Sequence, residues 1–242
     1  MKGCDVMPNW THNKIICKKS IAEKLLTPVE DTYVLDFNKL IPMPNELDLT
    51  CGAIEDMSVA CYYYSLDDNE RKKLKDLLFN TKTDFYHNYW NKYSNDINRL
   101  LNGSLNINEI SNNYDSSDDK MKEKYSNIYD LGKRYVDNIK DYGFPNWYDW
   151  RIENWGTKWN VDDEVSVIDI DEDNYEIRFD TAWSLPYGIM LKFSELCKDN
   201  EFHWEFQNED FDGYHTLSKE NGKIIDNVTG YDEKYTNDDI EI

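Results

Sequence analysis

Basic residues are scarce in this chain, and their scarcity limits what the chain can bind. Its 242 residues include 27 Lys and Arg against 48 Asp and Glu, so the net charge is −21. Because phosphate contacts need clustered Lys and Arg, this deficit argues against direct binding of nucleic acid. It argues equally against a polybasic segment that would bind an anionic membrane surface.

Long apolar segments are also lacking. No run of about 18 apolar residues occurs, so the sequence predicts no membrane-spanning helix. No basic segment followed by an apolar one opens the chain, so we expect no secretory signal and a cytoplasmic location.

The spacings that mark metal sites and common enzymes are absent too. The five cysteines contain no C-x-x-C pair, so we expect free thiols and neither a zinc nor an iron–sulfur site. No G-x-x-x-x-G-K-[ST], G-x-G-x-x-G, H-E-x-x-H or G-x-S-x-G occurs. The sequence therefore predicts no metal and no cofactor, and it favours a non-enzymatic protein.

Acidic residues, by contrast, are abundant and unevenly placed. Residues 161–242 hold 23 acidic and 6 basic residues, which leaves −17 of the net charge in the last third of the chain. Such a concentration produces a strong local field, which suits either a well-solvated surface or a docking face for a basic partner. The candidate partner-binding residues are Asp162, Asp163, Glu164, Asp169, Asp171, Glu172, Asp173 and Glu176.

The hydrophobic pattern predicts a mixed α+β fold. Aromatic residues make up 14% of the chain and the hydrophobic set 40%, enough to build a core. Strand-like residues 13–18 precede a short helix at 21–26, for which Ser20 and Glu23 offer a capping box. Strands follow at 165–170 and 175–181, then a helix near 189–197 and an alternating strand at 201–207. A last hairpin is expected to turn at Glu220–Gly222.

This order of elements, with a long interruption after the first helix, matches a ferredoxin-like split βαβ antiparallel sheet with a large helical insertion. The interruption is predicted to be helical because apolar residues recur at helical spacing, most clearly from 118 to 142. A second capping box is expected at Ser65–Asp68. The predicted organisation is an N-terminal extension at 1–6, a discontinuous α+β domain at 7–53 and 143–229, a helical insertion at 54–142, and an acidic tail at 230–242.

Four ordered motifs carry a resemblance to a known family. They are MPNWTHN at 7–13, FNKLIPMPNEL at 37–47, NWGTKWN at 154–160 and FDTAWSLP at 179–186. Together they resemble the YubB-like, ferredoxin-like domain family of phage and plasmid proteins, although the family's cysteine after the first Trp is Thr11 here. The resemblance implies a ferredoxin-like fold and a mobile-element setting, and it assigns no catalytic residue.

The motif tryptophans allow two interpretations. With their polar neighbours they can line a small-ligand or base-stacking pocket. Alternatively they are core anchors whose N–H groups are satisfied by nearby polar atoms. The candidate pocket residues are Asn9, Trp10, Trp155, Lys158, Trp159 and Trp183.

Two weaker patterns complete the candidates. His203 and Glu205 alternate to the outward side of a predicted strand, where they form either a solvated face or an acid–base pair. The run from Asp169 to Asn174, followed by Asp180, partly resembles a calcium-binding loop. Its required glycine is Asn174 and its flanks are strands, so we expect an acidic turn there.

Charge and resemblance together predict a non-enzymatic, acidic protein of a phage or other mobile element. We expect it to act in the bacterial cytoplasm as an anti-defence inhibitor. Such a nucleic-acid mimic would dock on a basic, nucleic-acid-binding host protein such as a CRISPR or restriction nuclease. Two alternatives stay open: a small-ligand or nucleotide-binding domain that uses the Trp-rich pocket, and an enzyme that uses His203 and Glu205.

Overall fold

A computed structural model of the chain divides into two compact units. The sheet unit comprises Met1–Met43 and Arg151–Ile242, and the helical unit comprises Pro44–Trp150. The predicted insertion boundaries at 54 and 142 lie inside the helical unit. The residues that the structure describes are 9–30, 32–83, 86–108, 110, 127–161, 165–199, 201–209 and 213–230.

The sheet unit is built on six antiparallel strands. Its strands in chain order are β1 (Trp10–Lys18), β2 (Leu26–Val29), β3 (Thr32–Leu35), β4 (Ser166–Asp169), β5 (Asn174–Ala182), β6 (His203–Asn208), β7 (Gly213–Glu220) and β8 (Lys223–Gly230). The large sheet has the order β4-β5-β1-β6-β7-β8, and β2 pairs with β3 in a separate hairpin. Every described pairing is antiparallel. The predicted mixed α+β class with an antiparallel sheet is therefore confirmed.

Strand β1 lies inside the sheet because its alternate residues are apolar or hydrogen-bonded. Thr11, Asn13, Ile15 and Cys17 are buried on one face, while the residues between them are partly exposed. This period of two is what a half-buried strand produces. The buried face packs on the helix α7 (Tyr187–Leu196), whose Phe193 ring meets the fully buried Trp204 of β6 edge to face.

The final hairpin follows from its turn residues. Asn221 and Gly222 both have positive φ, 49° and 73°. A two-residue turn needs this conformation to match the right-handed twist of the two strands that it joins. Glu220 then pairs with Lys223, which sets the register of β7 and β8. The prediction of this hairpin is confirmed.

The predicted helix at 21–26 is wrong in position and in its cap. The observed helix α1 covers Lys19–Ala22, and no side chain caps its N-terminus. Leu26 already belongs to β2, where it pairs with Leu35 of β3. Burial of Leu25 and Leu26 in the core outweighs the local preference for a longer helix.

Four helices make up most of the described helical unit. They are α2 (Ala53–Ser65), α3 (Asp68–Asn80), α4 (Tyr89–Leu101) and α5 (Ile128–Tyr142). The capping box of α3 is formed by Asp67 and Glu70, two residues beyond the predicted Ser65–Asp68 box. A further helix, α6 (Trp147–Trp155), begins in this unit and ends in the sheet unit.

Helix α5 approaches α2 very closely because Gly132 faces it. A Cβ atom at Gly132 would lie 1.9 Å from the carbonyl oxygen of Ser58 on α2. The contact brings Val59, Leu131 and Tyr135 into one buried cluster. The helical character predicted for 118–142 holds for α5, while residues 118–126 lie outside the described part of the chain.

Three further predictions concern residues that are not described. The N-terminal extension at 1–6 and nearly all of the acidic tail, from 231 onward, lie outside the described ranges, as do Asp162, Asp163 and Glu164. Within the described ranges, no helix has the length and apolar character that crossing a membrane requires.

Candidate functional site

The turn between β4 and β5 carries a compact group of acidic side chains. We call Asp169, Asp171, Glu172 and Asp173 the acidic turn, and all four are exposed. Asp171 shapes the turn, because one carboxylate oxygen accepts hydrogen bonds from the backbone N–H groups of Asp173 and Asn174, each at 2.8 Å. The Asn174 side-chain amide also bonds this carboxylate and lowers its pKa.

The acidic turn is tied to the first strand through α1. The backbone N–H of Lys19 donates to the carbonyl of Asp173 at 2.8 Å, and the Lys19 ammonium forms an ion pair with Asp169. Glu176, the remaining described residue of the predicted acidic face, is half-buried and bonded to Arg178 on the same strand at 2.7 Å. The negative charge that a partner can reach therefore lies chiefly on Glu172 and Asp173.

The residues of the calcium-like pattern do not come together. Asp169 pairs with Tyr175 across the sheet, whereas Asp180 lies five positions further along β5 and bonds His12 at 2.7 Å. At about 3.3 Å per strand residue, the two carboxylates are roughly 16 Å apart. Among the described residues, no group of three or more His, Cys, Asp or Glu has the arrangement of a metal site.

Trp155 lies in the hydrophobic core. Its side chain is fully buried, its ring meets Phe37 edge to face, and its indole N–H donates to the carbonyl of Ile41 at 2.9 Å. Asn160, at the end of the same motif, bonds both the Phe37 backbone and Asp36. Two of the four motifs thus hold each other in the sheet unit, and a ligand would reach Trp155 only by displacing core contacts.

A buried hydrogen-bond network connects the first motif with the fourth. The Asn13 side-chain amide donates to the carbonyl of Thr11 at 2.8 Å and to the hydroxyl of Thr181 at 2.9 Å. Its oxygen accepts from the Trp204 indole N–H at 3.1 Å. An unsatisfied polar group in a core costs free energy. Removal of one side chain of this network would therefore leave a buried hydrogen-bonding group of another without its partner.

The network continues to the surface at what we call the strand-end corner, residues 156–157 and 181–184. The Thr181 hydroxyl donates to the carbonyl of Ser184 at 2.8 Å, and the Ser184 hydroxyl donates to that of Gly156 at 2.6 Å. Thr157 bonds the carbonyl of Ala182 at 2.8 Å. The third motif therefore fastens to the fourth at this corner.

The other predicted pocket residues are more accessible than Trp155. Trp183 is 49% exposed and its backbone N–H donates to the carbonyl of Asn9 at 2.8 Å. Trp10 is half-buried beside Ala182, and the Lys158 ammonium lies 4.5 Å from the centre of the Trp159 ring. The predicted set thus divides into one core residue, Trp155, and five residues that are exposed or partly exposed.

His203 and Glu205 do lie close together, at 2.9 Å. The prediction of a solvated face is nevertheless wrong for Glu205, which is 6% exposed, because Lys14 of β1 forms an ion pair with it from the neighbouring strand. The Glu205 carboxylate therefore contacts two side chains in the middle of the sheet, the Lys14 ammonium and the His203 ring. This arrangement suits pairing between strands, and the acid–base hypothesis stays a prediction from sequence.

A cavity of about 280 Å³ opens between the β4–β5 turn and β6. Its walls include Cys17, Asp171, Glu201 and His203, and none of the six predicted pocket residues. Glu201 is bonded to Lys18 at 2.7 Å, which lowers the pKa of the carboxyl. The ligand-pocket alternative therefore has no support from this cavity.

The helical unit contains a buried charge cluster that sequence reasoning missed. Glu55 of α2 is fully buried and bonds the Lys92 ammonium at 2.7 Å, the Asn146 amide at 2.8 Å and the Tyr93 hydroxyl. Asp149 lies 3.5 Å from the same ammonium. The residues are spread over more than 90 positions, so no local motif could have revealed the cluster.

Burial controls the charges in this cluster. It raises the pKa of Glu55 to about 7, against the opposing effect of Lys92. Burial also disfavours the charged form of Lys92, but the carboxylates of Glu55 and Asp149 outweigh it and raise the pKa of that lysine. The geometry is that of a structural ion pair inside a helix bundle.

Comparisons of the chain with protein-family models, with curated proteins and with solved structures found no match. The resemblance to the YubB-like family accordingly stays an expectation that depends on the four motifs.

Proposed function

We propose that this chain is a non-enzymatic acidic protein of a phage or other mobile element that docks on a basic, nucleic-acid-binding host protein. The partner would be a defence effector such as a CRISPR or restriction nuclease, in the cytoplasm of the bacterial host. By covering a groove lined with Lys and Arg, the chain would act as a nucleic-acid mimic. The proposal requires no cofactor, no direct contact with nucleic acid and no membrane.

The acidic turn is the single observation that carries this proposal. Glu172 and Asp173 are exposed at the tip of a turn whose backbone is held by Asp171 and by Lys19. The sheet unit that presents them has 29 acidic and 14 basic residues, a net charge of −15. A rigid negative surface speeds association with a positive partner and loses less entropy on binding than a mobile one.

We also propose that β1, β4, β5 and β6 form a ferredoxin-like, split βαβ core. Two observations support it: the order β6-β1-β5-β4 with antiparallel neighbours, and the helix α7 between β5 and β6. In this arrangement β7 and β8 extend the sheet on the β6 side, and the helical unit lies in the connection from β1 to β4.

Reversing the charge of the acidic turn is expected to abolish docking. A variant with Glu172→Lys and Asp173→Lys should lose at least about tenfold in affinity for the partner at low salt, because each substitution replaces an attraction by a repulsion. The measurement is a pull-down from bacterial lysate at low and high salt, with captured proteins identified by mass spectrometry. Wild-type capture should weaken strongly as salt increases, since screening shortens the reach of exposed charges.

The matched control places the same charge change in the helical unit. Asp76→Lys with Asp141→Lys alters the net charge equally at exposed positions, and it should leave capture intact. Equal capture by the reversed and wild-type chains would contradict the proposal, as would a captured protein that salt does not release.

A further inference from the structure

Strand β8 is a long strand at the edge of the large sheet. Among the described strands it pairs with β7 alone, whereas β1, β5 and β6 each have two neighbours. A strand with one neighbour leaves a row of backbone N–H and C=O groups unpaired, and such a row is a template for another strand. The opposite edge, β4, has only four residues, and a short edge strand is protected by its length. By contrast, β8 has eight residues and no proline.

The hairpin turn determines which backbone groups of β8 point away from β7. Glu220 and Lys223 flank the two-residue turn and pair directly, so they exchange both hydrogen bonds. From there, hydrogen-bonded and non-hydrogen-bonded pairs alternate along the antiparallel ladder. Starting at Ile224, every second residue of β8 therefore directs its N–H and C=O groups to the free edge. These residues are Ile224, Asp226, Val228 and Gly230.

The side chains of β8 leave this edge accessible. Asp226, Asn227, Val228 and Thr229 are all exposed, and Val228 keeps 58% of its surface accessible. The Asp226 carboxylate is held by His215 of the neighbouring strand at 3.0 Å, so it is drawn toward its own hairpin. Another strand can therefore approach β8 without displacing a packed side chain of the described residues.

The hairpin of β7 and β8 differs in charge from the rest of the sheet unit. In residues 213–230, Lys219 and Lys223 balance Glu220 and Asp226, whereas the sheet unit as a whole carries −15. A basic partner is attracted to the acidic parts of the unit and gains little at this neutral hairpin. A second copy of the acidic chain, by contrast, meets little repulsion there. The charge distribution therefore favours a second copy as the occupant of the β8 edge.

Symmetry and charge also restrict how two β8 strands can pair. In a two-fold antiparallel pair, the residue on the axis faces its own copy, and positions that direct hydrogen bonds outward face each other. A centre at Asp226 would place two carboxylates directly opposite, which is destabilising. A centre at Asn227 instead places Asp226 opposite Val228 and Ile225 opposite Thr229. This second register overlaps residues 224–230 of both copies and brings no like charges together.

We infer that β8 pairs with β8 of a second copy of this chain, antiparallel and centred on Asn227, so that two sheets join into one symmetric dimer. The inference goes beyond the proposed function and does not depend on it. The acidic turn lies four to five strands from β8, roughly 20 Å at about 4.8 Å per strand spacing. The turn therefore stays uncovered, and one dimer presents two acidic turns.

The oligomeric state of the full chain tests the inference. Analytical ultracentrifugation from about 1 to about 100 μM should show a concentration-dependent species of twice the 28.9 kDa chain mass. Added salt should tighten the dimer, because each copy carries −21 and screening weakens the repulsion between copies. Docking on a basic partner has the opposite salt dependence, so a failure of one proposal is distinguishable from a failure of the other.

Two kinds of substitution test the contact by different chemistry. Val228→Pro removes an N–H that points away from β7, so it should abolish the dimer and keep the ladder within the hairpin. Asn227→Asp places two carboxylates across the axis and should weaken the dimer about tenfold, and Asn227→Lys should do the same with two ammonium groups. An equal mixture of these two Asn227 variants should form a mixed dimer, because opposite charges then face each other. The matched control, Ser166→Asp, adds an exposed charge at the other edge strand and should leave the dimer intact.

Several results would overturn the inference. A wild-type chain that stays monomeric at the highest concentration would do so, as would a dimer that the Asn227 substitutions leave unchanged. A dimer that Ser166→Asp abolishes would show that β4 is the edge that pairs. A monomer whose β8 amides exchange hydrogen more slowly only when a basic protein is bound would show that β8 binds that partner and no second copy.

Discussion

Replacing Lys92 by methionine is expected to destabilise the helical unit by about 3–5 kcal/mol at pH 8, because breaking a buried ion pair leaves the other charge without a partner. Glu55 would keep the Asn146 amide and the Tyr93 hydroxyl as donors but lose its only close cation among the described residues. Asp149 would lose the same neighbour.

The loss is expected to depend on pH in a definite direction. Burial already raises the pKa of Glu55 from 4.5 to about 7 in the presence of Lys92, and without that lysine the pKa rises further. The folded state then binds the proton more tightly than the unfolded state does. Stability therefore falls as pH increases from the unfolded-state pKa through the folded-state pKa, and the variant should be much closer to wild type at pH 5 than at pH 8.

One other carboxyl near the cluster acts in the same direction, whereas two nearby tyrosines do not titrate in this range. Asp56 lies close enough to Lys92 for their charges to interact, and burial raises the pKa of its carboxyl. The hydroxyls of Tyr89 and Tyr93 stay protonated throughout this pH range, since burial raises the pKa of each above its ordinary value. The carboxyls are therefore the groups whose titration sets the pH dependence.

Hydrogen exchange of amides in α2 and α4, resolved by mass spectrometry at both pH values, measures the effect in the helical unit alone. Lys133→Met is the matched control, because Lys133 is 55% exposed in its pair with Asp137 and should contribute less than about 1 kcal/mol. Adding Glu55→Gln to Lys92→Met should recover part of the stability at pH 8. Equal losses at pH 5 and pH 8, or a loss no larger than that of the control, would contradict the prediction.

The second large effect is expected at Trp155. Its replacement by alanine should destabilise the sheet unit by about 3–5 kcal/mol, because it removes a fully buried ring and leaves a cavity next to Phe37. Trp155→Phe keeps most of the volume but leaves the carbonyl of Ile41 without its donor, and should cost about 1–3 kcal/mol.

Urea denaturation with circular dichroism measures both variants, and Trp183→Ala is the internal control. Trp183 is half exposed, so its removal takes away much less buried apolar area and should cost clearly less than the Trp155 replacement. This contrast distinguishes a core residue from a surface residue within one set of motif tryptophans. A Trp155→Ala chain that stayed as stable as the control would favour the ligand-pocket hypothesis.

Local patterns were enough to predict much of the sheet unit. The strict alternation from Tyr175 to Thr181 predicted β5, and Glu220–Gly222 predicted the last turn, because side-chain direction and turn conformation depend on neighbours a few residues apart. The helix cap at Ser20 failed for the opposite reason. Burial of Leu25 and Leu26, which depends on distant parts of the chain, outweighed the local capping residues.

In the candidate site, too, some features follow from local sequence and others only from contacts between distant residues. Composition alone located the negative charge in the last third of the chain, and the missing glycine with strand-like flanks favoured an acidic turn over a calcium loop. Pairing between strands and between helices decided the rest: it buried Glu205 against Lys14 and Glu55 against Lys92, and it separated a core Trp155 from an exposed Trp183. These outcomes depend on which residues meet across the fold, and that information lies in tertiary contacts, which no single stretch of sequence contains.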